Sequence, residues 1–181
     1  MKGLTLTQPY ATLVAIGAKK IETRSWATSY RGPIAIHAGK GLGPVGGVAG
    51  LGDLCPFEPF ATPLIGAGYS ETHAPDWGLP RGAIVAVVEL ADCLPVDRLT
   101  LGPGFVELIR RDDNAAIRWT LTARERAFGD YSAGRSAWLL AEIRALRQPI
   151  PCRGALGLWD VPADVEAQIA TQLQGATHVH A

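Results

Sequence analysis

The sequence predicts an α+β fold: a small, partly open, mixed or antiparallel β-barrel with helices flanking it. Three observations lead there. Short alternating or β-branched runs recur from one end of the chain to the other. They come in mixed order: a strand, a helix, several strands, then late helices. They do not alternate with helices of about 10–15 residues, which argues against a doubly wound sheet.

Leu4-Thr5-Leu6-Thr7 alternates and reads as a first strand. A helix follows, with Thr7 or Gln8 near its cap and Pro9 in its first turn, where a missing N–H costs nothing. Leu13, Val14 and Ile16 give it a buried stripe, and Gly17 is a natural stop. Residues 20–24 and 32–38 read as the second and third strands. Ile84 to Cys93 is the longest β-branched run and is expected at the centre of the sheet. Residues 120–128 look helical, with Thr122 as cap and Glu125 completing a capping box. Strands are expected at 136–143 and 156–161, and a closing helix from Pro162 to Gln174.

Between the third strand and the long β-branched run, residues 39–80 form a Gly- and Pro-rich insertion with room for one loose helix. Its prolines at 56, 59, 63, 75 and 80 argue against regular structure. The whole chain of 181 residues is expected to be a single domain, with this insertion and a C-terminal helix at about 163–174.

Seventeen Lys and Arg balance seventeen Asp and Glu, which excludes a polybasic protein that blankets many phosphates. The first 40 residues nevertheless set Lys2, Lys19, Lys20, Arg24, Arg31 and Lys40 against Glu22 alone, so that segment carries +5 and the remainder −5. One basic segment in a neutral chain fits a local anionic or nucleotide-sized ligand; scattering of these charges by the fold is the plain alternative. Cys55, Cys93 and Cys152 are odd in number and far apart, and no run reaches the roughly 20 apolar residues of a membrane span. The expectation is a cytoplasmic protein with no membrane partner, no cofactor and no metal; protein partners are not legible.

Two motifs mislead. Gly41-Leu42-Gly43-Pro44-Val45-Gly46 spells a dinucleotide fingerprint, but Pro44 removes an amide that a phosphate cradle needs. Ser136 lacks the second glycine of a nucleophile elbow.

The informative constellation is Gly17-Ala18-Lys19-Lys20-Ile21-Glu22-Thr23-Arg24. Period-2 geometry puts Glu22 and Arg24 on one strand face, and Lys19 in the turn can swing over it. A solvated strand edge would look the same. Glu89 shares a face with Val85, Val87 and Ala91 on the long strand, and a carboxylate there calls for a cation, Lys19 or Arg24, unless that face opens to water.

Gly17-x-Lys19-x-x-Glu22-x-Arg24 resembles the G-x-K-x-x-E-x-R signature of the ASCH (ASC-1 homology) domain, a branch of the PUA-like superfamily. Leu6-Thr7-Gln8-Pro9-Tyr10-Ala11, Tyr30 to Ala38, Gly82 to Val88, Trp138, Pro149 to Gly154 and Gly157-Leu158-Trp159 resemble further segments of that family, in order. The resemblance implies a PUA-like barrel whose cleft binds nucleic acid, RNA foremost, or a modified nucleoside. Arg24 and Arg31 would meet phosphates or base edges, and Tyr10, Trp26 or Trp138 would stack on a base unless they belong to the core.

The resemblance also implies an alternative: a hydrolase, either a 4-N-acetylcytidine-type amidohydrolase or a metal-independent ribonuclease. Lys19, Glu22 and Glu89 would then be catalytic. Glu22 stands where the amidohydrolase has its threonine, so that covalent mechanism does not transfer. A partner-docking protein using the insertion and the last helix is a third reading.

Overall fold

The computed structural model describes residues 1–41, 55–70, 72, 76–96, 100–102, 105–112 and 115–174. The glycine-rich stretch from 42 and the two C-terminal histidines lie outside these residues. Nine strands and four helices are described: β1 (Lys2–Leu6), α1 (Tyr10–Ala15), β2 (Ile21–Arg24), β3 (Gly32–Ala38), α2 (Ala61–Gly66), β4 (Ala83–Pro95), β5 (Thr100–Gly102), β6 (Phe105–Asp112), β7 (Ala115–Leu121), α3 (Ala123–Ala127), β8 (Ser136–Pro151), β9 (Leu158–Asp160) and α4 (Ala163–Gln174). This is the mixed α+β architecture that the residue patterns predict.

Six strands hydrogen-bond in the order β2–β8–β4–β3–β1–β9, and β5–β6–β7 form a separate meander. The chain clusters into two compact units: residues 1–18, 33–88 and 142–181 form one, residues 19–32 and 89–141 the other. β4 and β8 each run through both. Between β4 and β8, Cys152 N–H donates to the Gly82 carbonyl at one end and Val96 N–H to the Arg135 carbonyl at the other, an antiparallel arrangement. In β8, Glu142 takes a left-handed φ of 45°, unusual for a residue with a side chain and typical of a local break in a long strand.

In the first unit, β1 runs parallel to β3 and antiparallel to β9. β3 lies between β4 and β1, and Ile34, Ala35, Ile36 and Ala38 are all fully buried, as a strand covered on both faces requires. The core there gathers Ala35, Ile84, Val87, Leu146 and Ile150 against Val165 and Ile169 of α4. Each such side chain contributes about 1.5–3 kcal/mol relative to exposure. α4 is also tied by its backbone partners: Gln172 accepts from Gln148 N–H and donates to the Gln148 carbonyl.

Of the two expected cap candidates the helix after β1 uses Gln8, but Pro9 stands at the cap position rather than in the first turn. The Gln8 side chain, not Thr7, accepts from Thr12 N–H at 3.1 Å while donating to the Thr12 hydroxyl and the Pro80 carbonyl. Gly17, at φ 75°, ends the turn as expected.

In the second unit, β2 pairs with β8, Glu22 opposite Trp138 and Arg24 opposite Ser136. Ile21, Leu94, Val96, Leu121, Ala137 and Leu139 form its core, with Tyr131 packed against it. Thr122 caps α3 by accepting from Glu125 N–H at 3.1 Å. The return half of the capping box does not form: Glu125 turns its carboxylate to the Lys20 and Ile21 amides, at 2.9 and 3.0 Å. Two N–H donors at the entry to β2 outcompete the cap.

Glu125 is buried, and that burial raises its pKa despite Lys19, Lys20 and the two amides, which pull it down. Glu125→Ala leaves two amides without an acceptor and should destabilise the protein by roughly 2–4 kcal/mol in denaturant titration, with Glu125→Gln intermediate because its amide accepts only one of them.

Candidate functional site

The site grows from the corner between α1 and β2. Gly17 turns the chain and leaves Lys19 in the interior, fully buried. Its Nζ donates to the Ile21 carbonyl at 2.5 Å and to the Phe128 carbonyl at 2.7 Å, and it lies 3.4 Å from Glu22 Oε2. Two carbonyls and a carboxylate thus surround the ammonium, the condition under which a buried cation is tolerated. Phe128 is the residue that closes α3, so the cation also sits where helix carbonyls converge.

The alternation of β2 is as expected: Ile21 and Thr23 are buried, Glu22 and Arg24 half-buried on the other face. Glu22 bridges two cations, with one carboxylate oxygen toward Lys19 and Oε1 3.0 Å from Arg24 Nε. The Arg24 contact is an ion pair at close range rather than an aligned hydrogen bond. Thr23, facing inward, accepts from Asp130 N–H through its hydroxyl and from Arg135 Nη2 through its carbonyl, and Arg135 reaches Asp130 at 3.4 Å.

Trp138 is fully buried, and its indole N–H donates to the Trp26 carbonyl at 3.3 Å. The half-buried Trp26 ring stands edge-on to it, 4.6 Å between centroids at 88°. Trp138 is therefore a prop, and Trp26 is the less buried of the two rings. Arg31 is committed elsewhere: it pairs with Asp92 at 2.7 Å and donates to the Thr28 and Tyr30 carbonyls. Glu89 lies half-buried on β4; the carboxylate that meets both Lys19 and Arg24 is Glu22. Tyr10 belongs to α1 in the other unit, where its ring meets Phe60 edge-on.

Sequence reasoning does not reach two members of the site. Glu125 is legible as a cap but not as the anchor of β2. Tyr131 carries no signal at all; its hydroxyl is shielded from water and has no hydrogen-bond partner among the described residues. Burial, then the Glu125 and Glu22 carboxylates, push its pKa far above the usual tyrosine value. An uncharged phenol beside two acids is a donor waiting for an acceptor.

Among the described residues, no three His, Cys, Asp or Glu side chains are grouped to hold a metal ion, and no helix is long and apolar enough to cross a membrane. Cys55, Cys93 and Cys152 are free.

Replacing Lys19 by Met should cost about 3–5 kcal/mol, since it strands Glu22 and two carbonyls. Glu22→Gln should cost less. Thermal unfolding of the two variants side by side checks the order.

With this geometry in hand, comparison with known proteins is direct. The ASCH domain family matches residues 4–149. No curated protein matches the chain. Solved structures of an ASCH protein from Zymomonas mobilis and of its serine-to-alanine variant share 10% and 12% identity, cover 94% of this chain and 93% and 94% of their own, and give TM-scores of 0.46 and 0.48. The family match spans most of the sequence, including the Lys19–Glu22–Arg24 corner, and on that ground the chain belongs to the ASCH domain family.

Proposed function

We propose that the second unit binds nucleic acid, single-stranded RNA foremost, or a modified nucleoside, at the end of β2. The observation that carries this reading is Arg24 held beside Glu22, two residues before the half-buried Trp26 ring that Trp138 props edge-on. A positioned guanidinium and a partly accessible aromatic ring two residues apart are the pairing that captures a phosphate and a base together. Membership of a family associated with RNA binding and with hydrolase-like activity agrees with it.

Hydrolysis draws less support. As base, Lys19 would have to turn Nζ away from the Ile21 and Phe128 carbonyls and from Glu22. Its place between α3 and β2 suits an anchor.

Fluorescence anisotropy with a labelled single-stranded RNA tests the reading. Trp26→Ala should weaken binding by about 1–3 kcal/mol. Arg24→Ala should lower the affinity and flatten the salt dependence by about 0.7 in the log–log slope for each phosphate that the guanidinium neutralises. Affinity unchanged in both variants, or independent of salt, removes the site. Release of acetate from 4-N-acetylcytidine that vanishes in Lys19→Ala would instead make the corner catalytic.

A further inference from the structure

The first unit contains a cleft of about 750 Å³, and none of its lining residues belongs to the β2 corner. Its walls come from the ends of β1 and β3, the turn before β4 and the segment after β8. Lys40 and Arg153 line it, both exposed, and among the described residues no acidic side chain does. The cleft is therefore cationic in an otherwise neutral protein, and its volume is that of a site for a nucleotide-sized molecule.

Its construction depends on two glycines. A Cβ on Gly154 would come 2.4 Å from His37 Nδ1, so that position admits no side chain without moving the imidazole. Gly82, at φ 62°, would place a Cβ 2.7 Å from Lys40 Cε; its bare backbone is the bed on which the lysine stem lies. The stem's position along Gly82 brings the ammonium to the cleft.

His37 forms the inner wall and is only 3% exposed. Its Nε2 lies 3.0 Å from the Cys152 carbonyl. A carbonyl only accepts, so Nε2 carries the proton and Nδ1 keeps a lone pair. That nitrogen has no hydrogen-bond partner among the described residues. At the mouth, Leu156 exposes 97% of its surface, an apolar ledge facing water. Two cations, an apolar ledge and an unused acceptor behind Gly154 are complementary to a molecule with a phosphate, a flat apolar body and a donor group.

We propose that this cleft is a second ligand site, for a nucleoside 5′-monophosphate, free or at the end of a strand. Lys40 and Arg153 neutralise the phosphate, Leu156 covers the base, and a small shift of Gly154 lets a ligand donor reach His37 Nδ1.

The test is an amide NMR titration of the full chain with CMP, cytidine and inorganic phosphate. CMP should move the amides of Gly39, Gly82 and Gly154, and cytidine and phosphate should each bind at least tenfold more weakly than CMP. Arg153→Ala and Lys40→Ala, both at exposed positions that carry no core packing, should each weaken CMP about tenfold or more, as expected for a charged hydrogen bond. A 5′-phosphorylated oligonucleotide that outbinds its 5′-hydroxyl twin supports the site and identifies a strand end as its source. Millimolar CMP that leaves those amides unmoved overturns the proposal. So does equal CMP affinity in the Arg153→Ala protein, or phosphate that binds as tightly as CMP.

Discussion

One reciprocal clamp governs the second unit. The Lys19–Ile21 corner and α3 hold each other by opposite charges crossed between backbones: Lys19 donates to the carbonyl that ends the helix, and Glu125, from within the helix, accepts from the amides that begin β2. Neither side chain could be buried alone, because an unpartnered ammonium or carboxylate costs several kcal/mol out of water. Together they turn a five-residue helix, too short to persist by itself, into a fixed wall. Everything on the exposed face of β2 inherits its position from that wall.

Glu22 links the clamp to the outer face of β2. It touches the buried cation with one oxygen and the half-buried Arg24 with the other, so the interior charge and the surface charge share a carboxylate. A neutral hydroxyl at this position would remove the carboxylate that Lys19 and Arg24 share, while Lys19 kept its bonds to the Ile21 and Phe128 carbonyls. With a glutamate there, the same corner is stiffer and more anionic, which suits holding a guanidinium still better than activating a nucleophile.

How far the residues alone reveal this can be judged from particular elements. β3, with its unbroken apolar run, and β2, with its strict alternation, are legible because burial on two faces or on one face writes those patterns directly. The Lys19–Glu22–Arg24 grouping is legible for the same reason. β5, β6 and β7 escape the pattern reading, although β6 and β7 pair antiparallel up to Asp112 opposite Ala115. β8 reads as ending at 143, because its pattern changes near Glu142, where the backbone itself departs from extended geometry. Glu89 looks paired in the sequence because a carboxylate on an apolar face demands a cation. The buried carboxylate beside Lys19 and Lys20 is instead Glu125, from a helix 36 positions further along the chain, a placement that no local pattern encodes. Trp26 and Trp138, both candidate stacking rings in the sequence, are told apart by burial.

The shared strands carry a consequence for anyone wishing to dissect the molecule. Because the polypeptide enters each unit more than once, and because β4 and β8 change allegiance partway along, no terminal trimming liberates either half. Isolating one would mean severing two strands in mid-course and rejoining loose ends, which exposes ladder amides and carbonyls at every cut. Point variants, rather than fragments, are the instruments by which the two proposed ligand sites can be told apart.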